Sequence, residues 1–411
     1  MSLAKTQRRA HVRTLATSMA LLSVLALARA ATANPPFAQG GVDGLTVPAG
    51  PQGTSVFAVE PPNAAVTRNT VTIPGWLSPY QSGGQSYQAV MVGTDPALGS
   101  ATTTVPVVIV PLRMVFARDG SVLDFPGMGQ ELAGSPLFTS LPYAVGTTQY
   151  LDAYRRADFW SQVATTSPDY HTLLGTPTIV PTRTLNVPAA LGHTFVVPGT
   201  NRLFGYVDGT WLSLQLKQLL GSLRIDPRAL AVFLAPNAIG TLSSSDACPG
   251  PTCFGFGGYH SALISGNPFL GAQPPQSVNT YVYADFEDLG DAVPSGLDVH
   301  LLPVSHELLE WLDDPLTFAA QPNQQDPFLG RAPGTPPWTS PYWTLGCTSI
   351  YEVADPLADG APFVGVPDSG HIDLFADAVF QSWFARQSPS TAFGGRYDII
   401  GVFQGFSDSC S

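Results

Sequence analysis

The order of elements predicts an α+β protein, and three observations carry that prediction. Between Thr210 and Leu312 the chain reads as helix, strand, strand, helix. Forty glycines and 39 prolines in 411 residues call for many turns and short elements. Hydrophobic residues make up 44% and charged ones 12%, which supplies a sizeable core and excludes wholesale disorder.

The elements follow from the amino terminus. Lys5, Arg8, Arg9 and Arg13 precede an apolar run from Leu15 to Leu27, and the small-x-small sites Ala28-Arg29-Ala30 and Ala31-Thr32-Ala33 come next. Basic region, apolar region and cleavage site in that order predict a secretory leader over residues 1–33. The apolar run is shorter than the roughly 20 residues needed to cross a bilayer. Arg8-Arg9 hints at twin-arginine export, but the residues after the pair do not support that route. The mature protein is therefore expected outside the cytoplasm (secreted or periplasmic), with no membrane-spanning segment. Removing the leader takes away five basic residues and no acid. The chain then goes from 18 basic and 30 acidic residues, net −12, to 13 and 30, net −17. Such an acid excess argues against nucleic-acid or anionic-membrane partners.

Residues 34–100 are rich in Pro, Gly, Ser and Thr and read as an irregular region with short strands, such as Ser55 to Val59. An N-terminal α/β part is expected over 101–200. It holds a strand from Val105 to Phe116 closed by the turn Arg118-Asp119-Gly120, a helix from Gln149 to Val163, and a proline-broken strand region from Thr176 to Val197. A third part, 201–411, opens with an amphipathic helix, Thr210–Leu223, and a buried strand, Ala229–Ala235. After a Gly-rich turn at Gly257–His260 come a β-rich run, Thr280–Phe286, and a helix, Leu297–Leu312. A proline-rich loop, Asp313–Thr344, leads to a helix over Asp373–Arg386 and an aromatic strand over Tyr397–Phe406. Of the four cysteines, Cys248 and Cys253 bracket a tight turn and are expected to bridge locally, with a metal knuckle as the alternative. Cys347 and Cys410 are then left to pair with each other.

The chemistry concentrates in Ser305-His306-Glu307-Leu308-Leu309-Glu310-Trp311-Leu312-Asp313-Asp314-Pro315. At about 100° per residue, His306, Glu310 and Asp313 share one helical face while Leu301, Val304, Leu308, Trp311 and Leu312 share the other. A histidine and a second donor four residues apart can grip one metal ion. A glutamate directly after the first ligand stands where it can take a proton from a water that the ion polarises. The pattern is H-E-x-x-E, with Glu310 at the second ligand position, so the expected metal is Zn2+ or another divalent ion. Asp313 and Asp314 oppose the helix dipole at its C-terminus, so propensity does not explain them. Asp313 is read either as the support of His306 through its other ring nitrogen or as part of a terminating Asp-Pro turn. His260 is the rival candidate for a metal or catalytic role. His300, His371, His171 and His193 are given none. Ser305 and Ser261 lack the G-x-S-x-G surroundings of a nucleophile.

The motif resembles a largely uncharacterised family of secreted bacterial zincin-like proteins that carry H-E-x-x-E-x-x-x-D-P on a helix and a Glu-hydrophobic-small-Asp segment after a loop. Here these are His306 to Pro315 and Glu352-Val353-Ala354-Asp355. Gln149 to Tyr154, Gly258 to Ser261 and Trp383 to Arg386 resemble the family as well, so the likeness runs from about residue 105 to the C-terminus. It implies a zincin-like metallopeptidase domain with a mixed sheet and an active-site helix. Glu352 would be the third metal ligand after His306 and Glu310, and Asp355 would orient a ligand. The expected function is hydrolysis of a peptide or protein substrate with Glu307 as general base, an extended substrate lying along the 260–286 region. The alternative is a non-catalytic secreted or cell-surface binding protein on the same scaffold.

Overall fold

The structure, a computed structural model, describes residues 71–197, 200–241, 255–265, 277–316, 334–340, 342, 347–358, 363–406 and 410. The expected leader, residues 34–70, Cys248, Cys253 and most of the proline-rich loop lie outside the described residues.

Among the described residues the central sheet has seven strands, two of them short, Val122–Leu123 and Thr178–Ile179, which pair with β1 (Val107–Phe116). The other five form its continuous path: β1, β2 (Arg183–Val187), β3 (Leu230–Pro236), β4 (Gly258–Ser265) and β5 (Ser277–Phe286). Their order is β2-β1-β3-β5-β4. The first four are parallel, and β4 runs antiparallel on the edge beside β5. Every residue of β3 is buried, as a central parallel strand covered on both faces requires. Its side chains divide by the two-residue period. Leu230, Val232 and Leu234 enter one core with Val282, Ala284 and the helix α3 (Leu302–Asp313). Ala231, Phe233 and Ala235 enter a second core with Tyr281, Tyr283 and the helix α2 (Gly209–Leu223). The molecule is thus a mixed α and β structure with helices on both faces of one sheet.

Helix α2 starts where Asp208 accepts a hydrogen bond from the Trp211 amide at 2.8 Å, a regular N-cap. Helix α3 has Pro303 in its first turn, where the missing N–H costs nothing. It buries Val304, Leu308, Leu309, Trp311 and Leu312. At about 2 kcal/mol for each large apolar side chain, that face contributes on the order of 10 kcal/mol to docking. Trp311 adds direction, its indole donating to Thr280 Oγ1 at 3.1 Å.

The region 34–100, expected to be irregular but strand-rich, bears out its strands where it is described: residues 75–92 form an antiparallel hairpin, Gly75–Ser82 with Gln85–Val92. The hairpin turns at Gly83 and Gly84, both at positive φ, and buries Trp76 and Met91 in the same core as α3. Several expectations are corrected. The helix expected from Leu297 begins at Leu302, residues 297–298 being a short strand. Gly257–His260, expected as a turn, largely belongs to strand β4. The helix expected over Asp373–Arg386 is instead a strand, His371–Phe375, and a short helix, Gln381–Phe384. Residues 371–375 pair in a hairpin with Val364–Asp368, in which Val364 and Val366 are buried on one face. No strand forms over the described part of Tyr397–Phe406. That segment folds around the Asp398 carboxylate, which accepts hydrogen bonds from the Val402 and Phe403 amides at 2.8 and 2.7 Å. The sheet also crosses the boundary expected at residue 200, since β1 pairs with β2 on one side and β3 on the other. Cys347 and Cys410 are disulfide-bonded, as expected. Among the described residues no helix is long and apolar enough to cross a membrane.

Candidate metal centre

Helix α3 lies across the β5–β4 side of the sheet, and β4 brings its backbone unusually close to it. A Cβ on Gly258 would stand 2.4 Å from Glu307 Cγ, so only glycine fits there. Two residues on, His260 points at the same helix. Its Nδ1 is 3.3 Å from Glu307 Oε2 and 3.8 Å from Glu310 Oε2. Residues 351–358 close the opposite side. Glu310 Oε1 accepts hydrogen bonds from the Ala354 and Asp355 amides at 3.3 and 3.1 Å, which ties this segment to the helix.

Six residues singled out from the sequence therefore meet: His260, His306, Glu307, Glu310, Glu352 and Asp355. His306 Nε2 is 3.2 Å from Glu310 Oε1 and 3.3 Å from Asp355 Oδ1. Glu352 Oε2 is 3.7 Å from His260 Nε2. The motif's own glutamates and His260 are buried, while His306 and Asp355 keep partial exposure and give the centre its open side.

The electrostatics are lopsided. Burial pushes the Glu352 carboxyl well above the usual range, and the neighbouring Glu310 and Asp355 push further. Burial also raises Glu307, although the hydrogen bond from His260 opposes the shift. Burial alone would lower His306, but Glu310 and Asp355 lift it well above its ordinary value. His260 is raised in the same way, the Glu307 hydrogen bond and the Glu310 charge outweighing burial. Four carboxylates around two imidazoles is a donor set that lacks positive charge.

That set fits a divalent cation. Both Glu352 carboxylate oxygens and His260 Nε2 are buried without a hydrogen-bond partner, so the centre holds buried polar atoms that its own side chains leave unsatisfied. Zinc–nitrogen and zinc–oxygen bonds of about 2.0–2.1 Å give a tetrahedron with edges of about 3.3 Å. The spacings from His306 Nε2 to Glu310 and Asp355 match that edge. Asp355, expected to orient a ligand, is thus at ligand spacing from His306, whereas Glu352 stands behind it against His260.

Asp313 does not reach His306. Seven residues separate them, about 10 Å along the axis. Its carboxylate instead accepts from Arg155 at 2.6 Å and Tyr154 at 2.8 Å, all fully buried. Arg155 also binds the Leu312 carbonyl at 2.7 Å. Both residues lie on the helix α1 (Tyr150–Asp158), whose role the sequence did not disclose. Arg155 supplies the positive charge that the acidic end of α3 needed. Ser305 is a clasp: its hydroxyl donates to the Leu302 carbonyl and accepts from the Ala376 amide. His300 and His371 sit together outside this centre.

Comparisons with family models, with curated proteins and with solved structures return no match to this chain.

Proposed function

We propose that the chain is a secreted, metal-dependent peptidase of zincin-like design, with His306, Glu310 and Asp355 holding the ion and Glu307 acting as general base. The observation that supports this reading most is the convergence on one buried centre of three of the chain's six glutamates with His306 and His260. When bound, a zinc-type ion polarises the scissile carbonyl and acidifies the attacking water.

The protein residues supply the remainder. Glu307 Oε2 is held by the His260 ring at 3.3 Å, so its carboxylate is oriented before substrate arrives. Burial raises its proton affinity, which suits a group that takes a proton from water and hands it to the leaving amine. His260 acts through Glu307 and is a positioning residue. Glu352 balances the opposite ring nitrogen of His260. Among the described residues, one edge of β4 has no strand partner, and it lies beside Glu307. An extended peptide can add to such an edge, which favours a peptide over other hydrolysable substrates.

The test is Glu307→Gln, assayed for zinc content and for cleavage of an unstructured protein substrate. Retained zinc with a loss of about 10²-fold or more supports the role. Unchanged cleavage overturns it. A wild-type protein that binds zinc but cleaves no member of a broad peptide library favours the non-catalytic binding module.

A further inference from the structure

A second cluster of metal-binding side chains lies at the strand pair that precedes α3. Residues Leu297–Asp298 run parallel to His371–Phe375, with Asp298 paired opposite Asp373. Residues two apart on a strand share a face, so His371 and Asp373 project together and Asp298 joins them from the neighbouring strand. The side chains meet accordingly. His371 Nε2 is 2.8 Å from Asp373 Oδ1 and 4.0 Å from Asp298 Oδ2. Asp373 is 4% exposed, and Oδ2 of this carboxylate, whose other oxygen bonds His371, has no hydrogen-bond partner. Asp368 stands opposite His371 across the hairpin and adds negative charge.

The neighbouring half of the cluster is satisfied internally. His300 Nδ1 is 2.7 Å from Glu131 Oε1, and the His300 amide donates to Asp298 Oδ1 at 2.7 Å. Asp298 therefore spends Oδ1 on its own turn and leaves Oδ2 for the His371 side.

We propose that Asp298, His371 and Asp373 bind a second divalent cation of the zinc type, separate from the one at His306. One imidazole with two carboxylates suits zinc, whereas calcium and magnesium prefer all-oxygen shells. The ion is structural. It pins the hairpin 364–375 to residues 297–298, four residues before α3 begins, and so fixes the start of the helix that carries His306.

The experiment measures zinc per chain by elemental analysis after stripping, reloading with zinc chloride and gel filtration. Wild type should hold two ions. Each of His371→Ala, Asp373→Asn and His306→Ala should hold one, and His371→Ala/His306→Ala none. One ion in wild type that His371→Ala removes and His306→Ala does not would support this site while overturning the first. Wild-type stoichiometry retained in both His371→Ala and Asp373→Asn overturns the second site, as does a single ion lost only in His306→Ala. Should the hairpin variants misfold, the His306→Ala protein titrated with Co2+ must still saturate at one equivalent with a visible d–d spectrum. Absence of that spectrum overturns the proposal.

Discussion

Replacing Arg155 by Met should be among the most damaging single changes in this protein that touch neither candidate metal site. Arg155 is fully buried, donates to the Asp313 carboxylate and the Leu312 carbonyl, and lies with its guanidinium 5.7 Å from the Phe159 ring. Methionine conserves much of the apolar stem but leaves a buried acid without its cation. Breaking one side of a buried pair costs about 3–5 kcal/mol, well above the roughly 0–1 kcal/mol of an exposed pair. With an unfolding entropy near 2.1 cal/mol/K per residue over the roughly 285 described residues, that loss lowers Tm by about 5–8 °C. The pH dependence gives a second check. Burial already raises Asp313 and Asp158, and Arg155 is the charge that restrains both. Without it the folded state binds protons that the unfolded state releases, so stability falls as pH rises above the unfolded value near 4. The deficit of Arg155→Met should therefore be smaller at pH 5 than at pH 8 by scanning calorimetry. Arg155→Met/Asp313→Leu should recover part of the loss. A Tm drop under about 2 °C that is the same at both pH values would refute the reasoning.

Other outcomes follow from the same geometry. Asp355→Asn and Glu310→Gln should each weaken zinc binding by tenfold or more, and Glu352→Gln should weaken it less, as read by competition with a chromogenic chelator; the reverse order would restore Glu352 as the third ligand. Burial first and Asp398 second raise the Asp377 carboxyl well above its usual range, so it contributes stability at low pH that is lost as pH rises. Asp377→Asn keeps the acceptor for the Ala378 and Ile399 amides, and urea melts should show it gaining on wild type from pH 5 to pH 8. Cys347 and Cys410 close a loop of 63 residues, for which chain entropy gives about 4 kcal/mol. Cys347→Ser/Cys410→Ser should melt lower than wild type, and a reductant should shift wild type more than the variant, which keeps only Cys248 and Cys253.

The site helix could be read from the sequence because its signal is local. Apolar residues repeat with helical period, and His306, Glu307 and Glu310 carry their chemistry in four residues. Strand β3 was legible for the same reason, being a short apolar run bounded by turns. What closes the centre was less legible because it is set by packing. Gly258 and His260 read as a turn, since nothing local to two glycines reports that a helix 45 residues later must approach within van der Waals contact. The choice between Glu352 and Asp355 depends on how residues 351–358 bend back to the Glu310 carboxylate, a pair of backbone hydrogen bonds that leaves no mark on composition. Arg155 was missed because an arginine on an amphipathic helix ordinarily faces water, and only the acidic end of α3 explains its burial. His371 drew no role because Asp373 to Arg386 is apolar enough to read as a helix. The pairing with Val364–Asp368 decided otherwise.

The strand order of the sheet also sets when the centre can exist. Strand β1 ends at residue 116 and borders β3, yet β3 must await β5, which is complete only at residue 286. The helix that carries the centre is then held by partners still later in the chain: Asp355, the Ala376 amide, and the Val379 carbonyl that binds Tyr154. Pairings between residues so distant along the chain are slow to close. Under the proposed function, a nascent or truncated chain that has not reached about residue 380 would thus carry the H-E-x-x-E segment without the contacts that complete the site.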